Sequence, residues 1–173
     1  VVLRDEYLQT SLQDRVAVME EARDKLKQQA GLTSVIGEGI VITIAPLFHE
    51  ELLGQEVPKL TTELLLRLMN EVNMMGIEHV SIGNQRMTGF SASREENGET
   101  FVNNRPLSSL PIEIMLVTDD AMKVYDQLKA SKINDEFANE NLSITIELQN
   151  ELRLNPYERK IDIVYMEHDK EGS

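Results

Sequence analysis

Residues 37–47 read GEGIVITIAPL, and within them Ile40-Val41-Ile42-Thr43-Ile44 is a β-branched run closed by Pro46. Such a run predicts a strand, the first of the domain and a central one. Gly37 and Gly39 come before the strand, whereas a phosphate-cradling loop needs its glycines after a strand and before a helix, where free backbone N–H groups face the anion. The order is reversed, so the pair is read as a bend into the strand. Outward from here, residues 46–60 hold Pro46, Gly54 and Pro58 and predict an irregular connection. His49-Glu50-Glu51 falls inside it, but position 53 is Leu, so the two-histidine helix of a metalloprotease is missing.

The segment TTELLLRLMNEVNMM, 61–75, predicts a helix capped by Thr61 or Thr62, with Leu64, Leu65, Leu68, Met69, Val72 and Met75 forming an apolar stripe. Gly76 ends it, and Ile77–Ile82 follows as a strand. Pro111–Val117 predicts another strand, after which Asp119 or Asp120 caps the helix AMKVYDQLKAS, apolar at Met122, Val124, Tyr125 and Leu128. Two last strands are read at Leu142–Leu148 and Lys160–Met166. Strand, helix, strand thus occurs twice. The fold class this implies is α+β, a two-layer sandwich with ferredoxin-like βαβ repeats and an inserted hairpin. It occupies one domain, residues 31–168, with 169–173 as a frayed charged tail.

Residues 1–30 precede that domain and predict one long helix, free of Gly and Pro from Leu3 to Ala30 and stopped by Gly31. In a heptad frame Leu12, Met19 and Leu26 occupy a, and Val1, Leu8 and Ala22 occupy d, interrupted at d by Arg15 and Gln29. Two arrangements follow from this seam, a coiled coil continuing upstream or an amphipathic helix lying on its own domain.

Bulk composition narrows the function classes. The 173 residues, 41% apolar, suit one domain with an ordinary core, and the net charge of −13, from 30 acidic against 17 basic residues, repels nucleic-acid phosphates and anionic lipid headgroups. Neither nucleic acid nor direct membrane adsorption is expected. With no cysteine there are no disulfides, thiolate metal sites or cysteine nucleophiles. No run approaches the roughly 18 apolar residues of a spanning helix. The chain opens on Val1-Val2-Leu3 without an initiator Met, which is read as a fragment or processed form, and a missing N-terminal anchor is compatible with that reading.

Residues 76–107, GIEHVSIGNQRMTGFSASREENGETFVNNRPL, interleave short β-type runs with polar residues. Gln85, Arg86, Ser93, Arg94 and Arg105 are the candidate ligand-binding set, because guanidinium groups offer planar donor forks to an anion or carboxylate. The competing reading pairs Arg86 and Arg94 with Glu95, Glu96 or Glu99 and leaves the asparagines to turns. No catalytic constellation is legible: His49, His79 and His168 are scattered, and Glu50-Glu51, Glu95-Glu96 and Asp119-Asp120 suit solvated or capping roles. The chain is therefore read as no enzyme, with no cofactor and no metal site.

Leu64–Val72, Met75–Glu78, Val80–Arg86, Ser91–Arg94 and Phe101–Asn104, in this order and spacing, resemble the YlxX/YlxW-like bacterial family of unknown function. The resemblance runs from about Ala30 to the final strand. The family's Asn-Gly pairs correspond here to Gly83-Asn84 and Asn103-Asn104, which keep the tolerance of positive φ that a tight turn needs. The resemblance implies a Gram-positive envelope protein, encoded near cell-division and cell-wall genes, with an N-terminal membrane anchor, a coiled-coil segment and this domain outside the cytoplasmic membrane. On that basis the expected function is a non-enzymatic interaction or scaffold module of division or wall assembly. It would form a homo-oligomer or bind a protein partner through the seam of Leu8, Leu12, Met19 and Leu26. The alternative is a sensor of a small anionic ligand.

Overall fold

The structure is a computed structural model and describes residues 2–47, 58–88, 93–107 and 109–157. The strand at Lys160–Met166, the His49-Glu50-Glu51 segment, Val1, His168 and the tail lie outside the described residues. Helix α1 spans Val2–Gln29 and strand β1 spans Val35–Pro46. Helix α2 (Thr62–Met74) leads to β2 (His79–Ile82) and β3 (Gln85–Arg86). A run of short strands follows, β4 (Ser93–Glu96), β5 (Glu99–Val102) and β6 (Arg105–Pro106), and then β7 (Ile112–Val117), α3 (Ala121–Ala130), α4 (Ile133–Asn139) and β8 (Leu142–Leu154).

Strands β3-β2-β7-β1-β8 form one sheet, antiparallel at every pairing. Each βαβ unit is split: β7 lies between β1 and β2, and β1 lies between β7 and β8. Interleaving the two halves makes β1 an interior strand, bonded on both sides. Its period-2 pattern sends Ile40, Ile42 and Ile44 to one face, where all three are fully buried under the helices. From α2 come Leu64, Leu65, Leu68, Met69 and Val72, from α3 Val124 and Leu128, and from α4 Ile133 and Phe137. Full burial of each such side chain contributes about 1.5–3 kcal/mol, so this helix-covered face holds most of the fold's stability.

Local chemistry fixes the element ends. Thr61 is the N-cap of α2, its hydroxyl accepting from the Leu64 N–H at 3.3 Å, and Glu63 and Arg67 pair one turn apart at 2.7 Å. Arg67 also reaches Glu136 at 3.3 Å, tying α2 to α4 across solvent. Asp120 stands at the N-cap position of α3 but makes no side-chain capping bond; its own N–H is donated to the Thr118 hydroxyl instead. Helix α4 is not part of the sequence reading. Its readable signal is the pair Ile133 and Phe137, four apart and both buried, while the Asn134 amide closes the end of α3 by donating to the Leu128 and Ser131 carbonyls.

The sequence reading ends a strand at Leu148 and takes residues 150–158 as a joining segment; in the structure β8 runs unbroken to Leu154. Gly37 pairs Leu152 while Gly39 pairs Gln149, so two residues of β8, Asn150 and Glu151, oppose the single Glu38 of β1. This bulge flips the faces. Leu142 and Ile146 point into the helix-covered core, whereas Leu152 and Leu154, also even-numbered, join Val35 and Val117 in a second cluster on the other face. Alternation breaks at the bulge, which is why the residue pattern alone reads as a stop. Gly37 and Gly39 accordingly lie inside β1, at the register shift, and not at a bend before it.

The inserted segment is larger than one hairpin. β4, β5 and β6 form a separate three-stranded sheet attached by Thr100, whose buried hydroxyl donates to the Leu60 carbonyl at 3.0 Å. Thr62, in the first turn of α2, donates to the same hydroxyl at 3.3 Å. Two-residue turns at Gly83-Asn84, Asn97-Gly98 and Asn103-Asn104, all with positive φ, close the three hairpins.

The close approach at Gly39 generates a test. A Cβ there would fall on the Leu116 carbonyl oxygen, main chain that the sheet holds in place, and would also come within 2.9 Å of Leu152 Cδ1. Gly39→Ala is expected to destabilise the domain by about 3 kcal/mol or more, read as a lowered urea midpoint at unchanged slope. An unchanged midpoint would contradict this packing.

Candidate functional site

Helix α1 ends in a specific geometry that builds the site. The Leu32 N–H is donated to the Lys27 carbonyl and the Gly31 N–H to the Gln28 carbonyl, with Gly31 at φ +74, the Schellman arrangement. Carbonyls at a helix C-terminus carry partial negative charge, and a cation is favoured there. Arg86 supplies it from β3, 58 residues away: Nη2 donates to the Gln28 carbonyl at 2.8 Å and Nη1 to the Thr33 carbonyl at 3.0 Å. Only 2% of Arg86 remains exposed. Its guanidinium therefore spans the exit of α1, one bond inside the helix and one beyond it. The Tyr157 N–H adds a bond to the Gly31 carbonyl at 2.6 Å, and Gly31 packs so closely that a Cβ would meet Thr88 Cγ2 at 2.6 Å.

Two features of Arg86 remain open chemically. Among the described residues its Nε has no hydrogen-bond partner, and burial pulls its pKa below the ordinary value. The neighbouring His79 Nδ1 stands 3.4 Å from Nη2 and can accept from it only when unprotonated. Burial first, and then the Arg86 charge, push the His79 pKa below its ordinary 6.5, partly offset by Glu78 and Asp119.

Beside this junction lies a polar cavity of about 380 Å³. Asn84, Gln85 and Arg86 line it from the β2–β3 hairpin, Asn103 and Arg105 from the β5–β6 hairpin, and Asn155 and Tyr157 from the chain leaving β8. Among the described residues its lining carries amides and two arginines and no carboxylate. The Asn103 amide donates to the Arg86 carbonyl at 3.0 Å and locks the two hairpins together.

Of the five ligand-binding candidates, Gln85, Arg86 and Arg105 come together here. Ser93 and Arg94 do not. They lie on β4, separated from β6 by β5, and Arg94 is turned to Glu96 at 3.3 Å and to the Phe101 ring at 5.1 Å. The lining residues outside the candidate set are Gly83, Asn84 and Asn103, which the sequence reading gives to turns, and Asn155, Pro156 and Tyr157, which no local pattern connects to residue 86. Of the helix seam, Leu8, Leu12, Met19 and Leu26 are 52%, 58%, 70% and 64% exposed. Among the described residues no three His, Asp or Glu side chains converge as metal ligands, and no helix is long and apolar enough to cross a membrane.

Fold and site together define a small α+β domain joined to the end of a long helix, with a polar cavity at the joint. The chain belongs to the family described as bacterial protein of unknown function (DUF881), whose model matches residues 22–167. It is 33% identical over 162 residues to UPF0749 protein YlxX of Bacillus subtilis (strain 168), a match covering 93% of this chain and 69% of that protein. Its fold is similar to the crystal structure of an uncharacterized conserved protein from Mycobacterium tuberculosis, with a TM-score of 0.63 at 18% identity over 78% of this chain and 91% of the other.

Two outcomes follow from the junction. Arg86→Met removes two charge-assisted bonds and orphans the Thr33 carbonyl, partly offset by relief of burying the charge, and should cost about 2–4 kcal/mol. Amide exchange at residues 28–33 should accelerate more than in β1; uniform acceleration would contradict a local clamp. Because His79 has a lowered folded pKa, the unfolded chain takes up its proton first as pH falls through 6.5, and stability is lost over that interval. The thermal midpoint of the wild type should fall more steeply than that of His79→Gln between about pH 7.5 and about pH 5.5, and parallel curves would remove His79 from the pH response.

Proposed function

We propose that the protein is a non-enzymatic interaction module whose working surface is α1, with the α+β domain as the body that the helix carries. The single observation behind this is the exposed apolar stripe of Leu8, Leu12, Met19, Ala22 and Leu26 on a helix whose own domain leaves it uncovered. Large apolar side chains repeating at a and d gain about 1.5–3 kcal/mol each when a second helix covers them, the usual reason for a seam of this period. Arg15 at d limits the strength of that pairing and favours a register in which its guanidinium can reach solvent. Leu26 and Leu32 extend the apolar surface to the joint with the domain, in a groove they share with Met19 and Ala22.

The setting in this proposal is the bacterial envelope, with the domain held near the membrane by a segment upstream of α1 and acting in division or wall assembly. The resemblance to the YlxX/YlxW-like family supports it. Two measurements test the two levels. Sedimentation equilibrium should give a dimer that Met19→Glu converts to monomer, by placing a charge in the seam; a wild-type monomer at high concentration overturns pairing through α1. Imaging of a tagged, anchored full-length protein in dividing cells should show enrichment at the septum. Uniform distribution with no division partner recovered by cross-linking would overturn the envelope role while leaving the helix pairing intact.

A further inference from the structure

We infer that α1 pairs with the α1 of a second copy of this chain in the antiparallel direction, with Ala17 level with the two-fold axis. This rests on the pairing through α1 proposed above and supplies its partner, direction and register. The observation that carries it lies beside the seam. Val16 and Val18 are 52% and 66% exposed, and in the heptad frame of Leu12, Met19 and Leu26 they occupy e and g, one on each flank. Together with the seam they make one contiguous apolar surface, wider than a and d alone would need.

The seam residues choose the direction. A parallel pair in register sets each a or d residue against its own copy, so Arg15 would meet Arg15 and Ala22 would meet Ala22, a repulsion followed by a void. Its flanks pair g with e, which would put Val16 against Ser11 and Val18 against Arg23. An antiparallel pair sets a against d. With Ala17 on the axis, Leu8 meets Leu26, Leu12 meets Ala22 and Arg15 meets Met19, each contact occurring twice by symmetry. Large faces small at Ala22, and the Arg15 stem lies along a thioether while its guanidinium reaches water. Leu8 of the second copy enters the groove that Met19, Ala22, Leu26 and Leu32 form at the joint. On the flanks e now meets e and g meets g, so Val16 covers Val16 and Val18 covers Val18 beside the axis. Lys25 faces the second copy's Ser11, one turn from its Asp14, which places opposite charges together at both rims. The two α+β domains then stand at opposite ends of the pair.

The test is a set of distances across the dimer, made clean by a sequence without cysteine. Gln13→Cys, Glu20→Cys and Lys27→Cys, exposed positions one heptad apart on the outer side of α1, each carry one nitroxide on the full chain, and pulsed electron resonance gives the spin–spin distance. Antiparallel pairing about Ala17 separates the labels along the axis by about 12, about 9 and about 30 Å respectively, so the first two distances should agree and the Lys27 distance should exceed them by about 10 Å. Three equal distances would overturn the antiparallel direction and leave pairing through α1 in place. No dipolar signal at any of the three positions would overturn the pairing and this register with it. A charge swap tests the axis itself: Val16→Glu and Val16→Lys should each raise the dimer Kd about tenfold alone, and an equal mixture should form a heterodimer tighter than either, because each Glu then meets a Lys. The absence of any gain on mixing would overturn the register.

Discussion

The organisation of this protein rests on one buried guanidinium bonded to the carbonyls at the end of a helix. Arg86 satisfies Gln28 in the last turn of α1 and Thr33 in the segment entering β1, and with Asn103 on its own carbonyl it ties the inserted sheet into the same knot. A cation at a helix C-terminus is favoured by the peptide dipoles, and burial strengthens that attraction while raising the cost of any donor left unused. Helix, central strand and insertion therefore meet at a polar point, whereas the bulk of the stability lies across the sheet in the apolar layer beneath α2, α3 and α4. The separation matters. Changes at the joint alter how α1 is held before they alter whether the domain folds.

Much of the fold is legible in the residues because it is written in local periods. The isoleucines of β1, the stripe and Thr61 cap of α2, and the Gly-Asn and Asn-Asn turns all declare themselves within a few positions, and the structure places each accordingly. What escapes is what breaks period or lacks it. The bulge in β8 moves Leu152 and Leu154 to the opposite face, so a continuous strand reads as a strand followed by a connection. Helix α4, two turns long, offers only Ile133 and Phe137 as a pattern. Asn97-Gly98, a strong hairpin signal, marks the turn that makes the insertion three strands instead of two.

The candidate site was legible in its chemistry and hidden in its geometry. Three of its polar side chains, Gln85, Arg86 and Arg105, can be picked out as donors suited to an anion, and the turns bring them together. Arg94 has the same side-chain chemistry but sits one strand too far, with Glu96 and Phe101 at hand. The principal partners of Arg86 are backbone carbonyls, which carry no residue identity, and Asn155 and Tyr157 arrive from the other end of the sequence. Long-range contacts to main-chain atoms leave no trace in a pattern of residue types.

The clamp also has a mechanical consequence. A helix of 28 residues rising 1.5 Å per residue is a rod of about 42 Å, and its last turn is fixed to the domain by bonds on both sides of the Gly31 turn. A rod held at two points transmits torque. Rotation or pull applied far out along α1 is delivered to the β3 edge of the sheet and to the walls of the polar cavity, with Arg86 as the fulcrum.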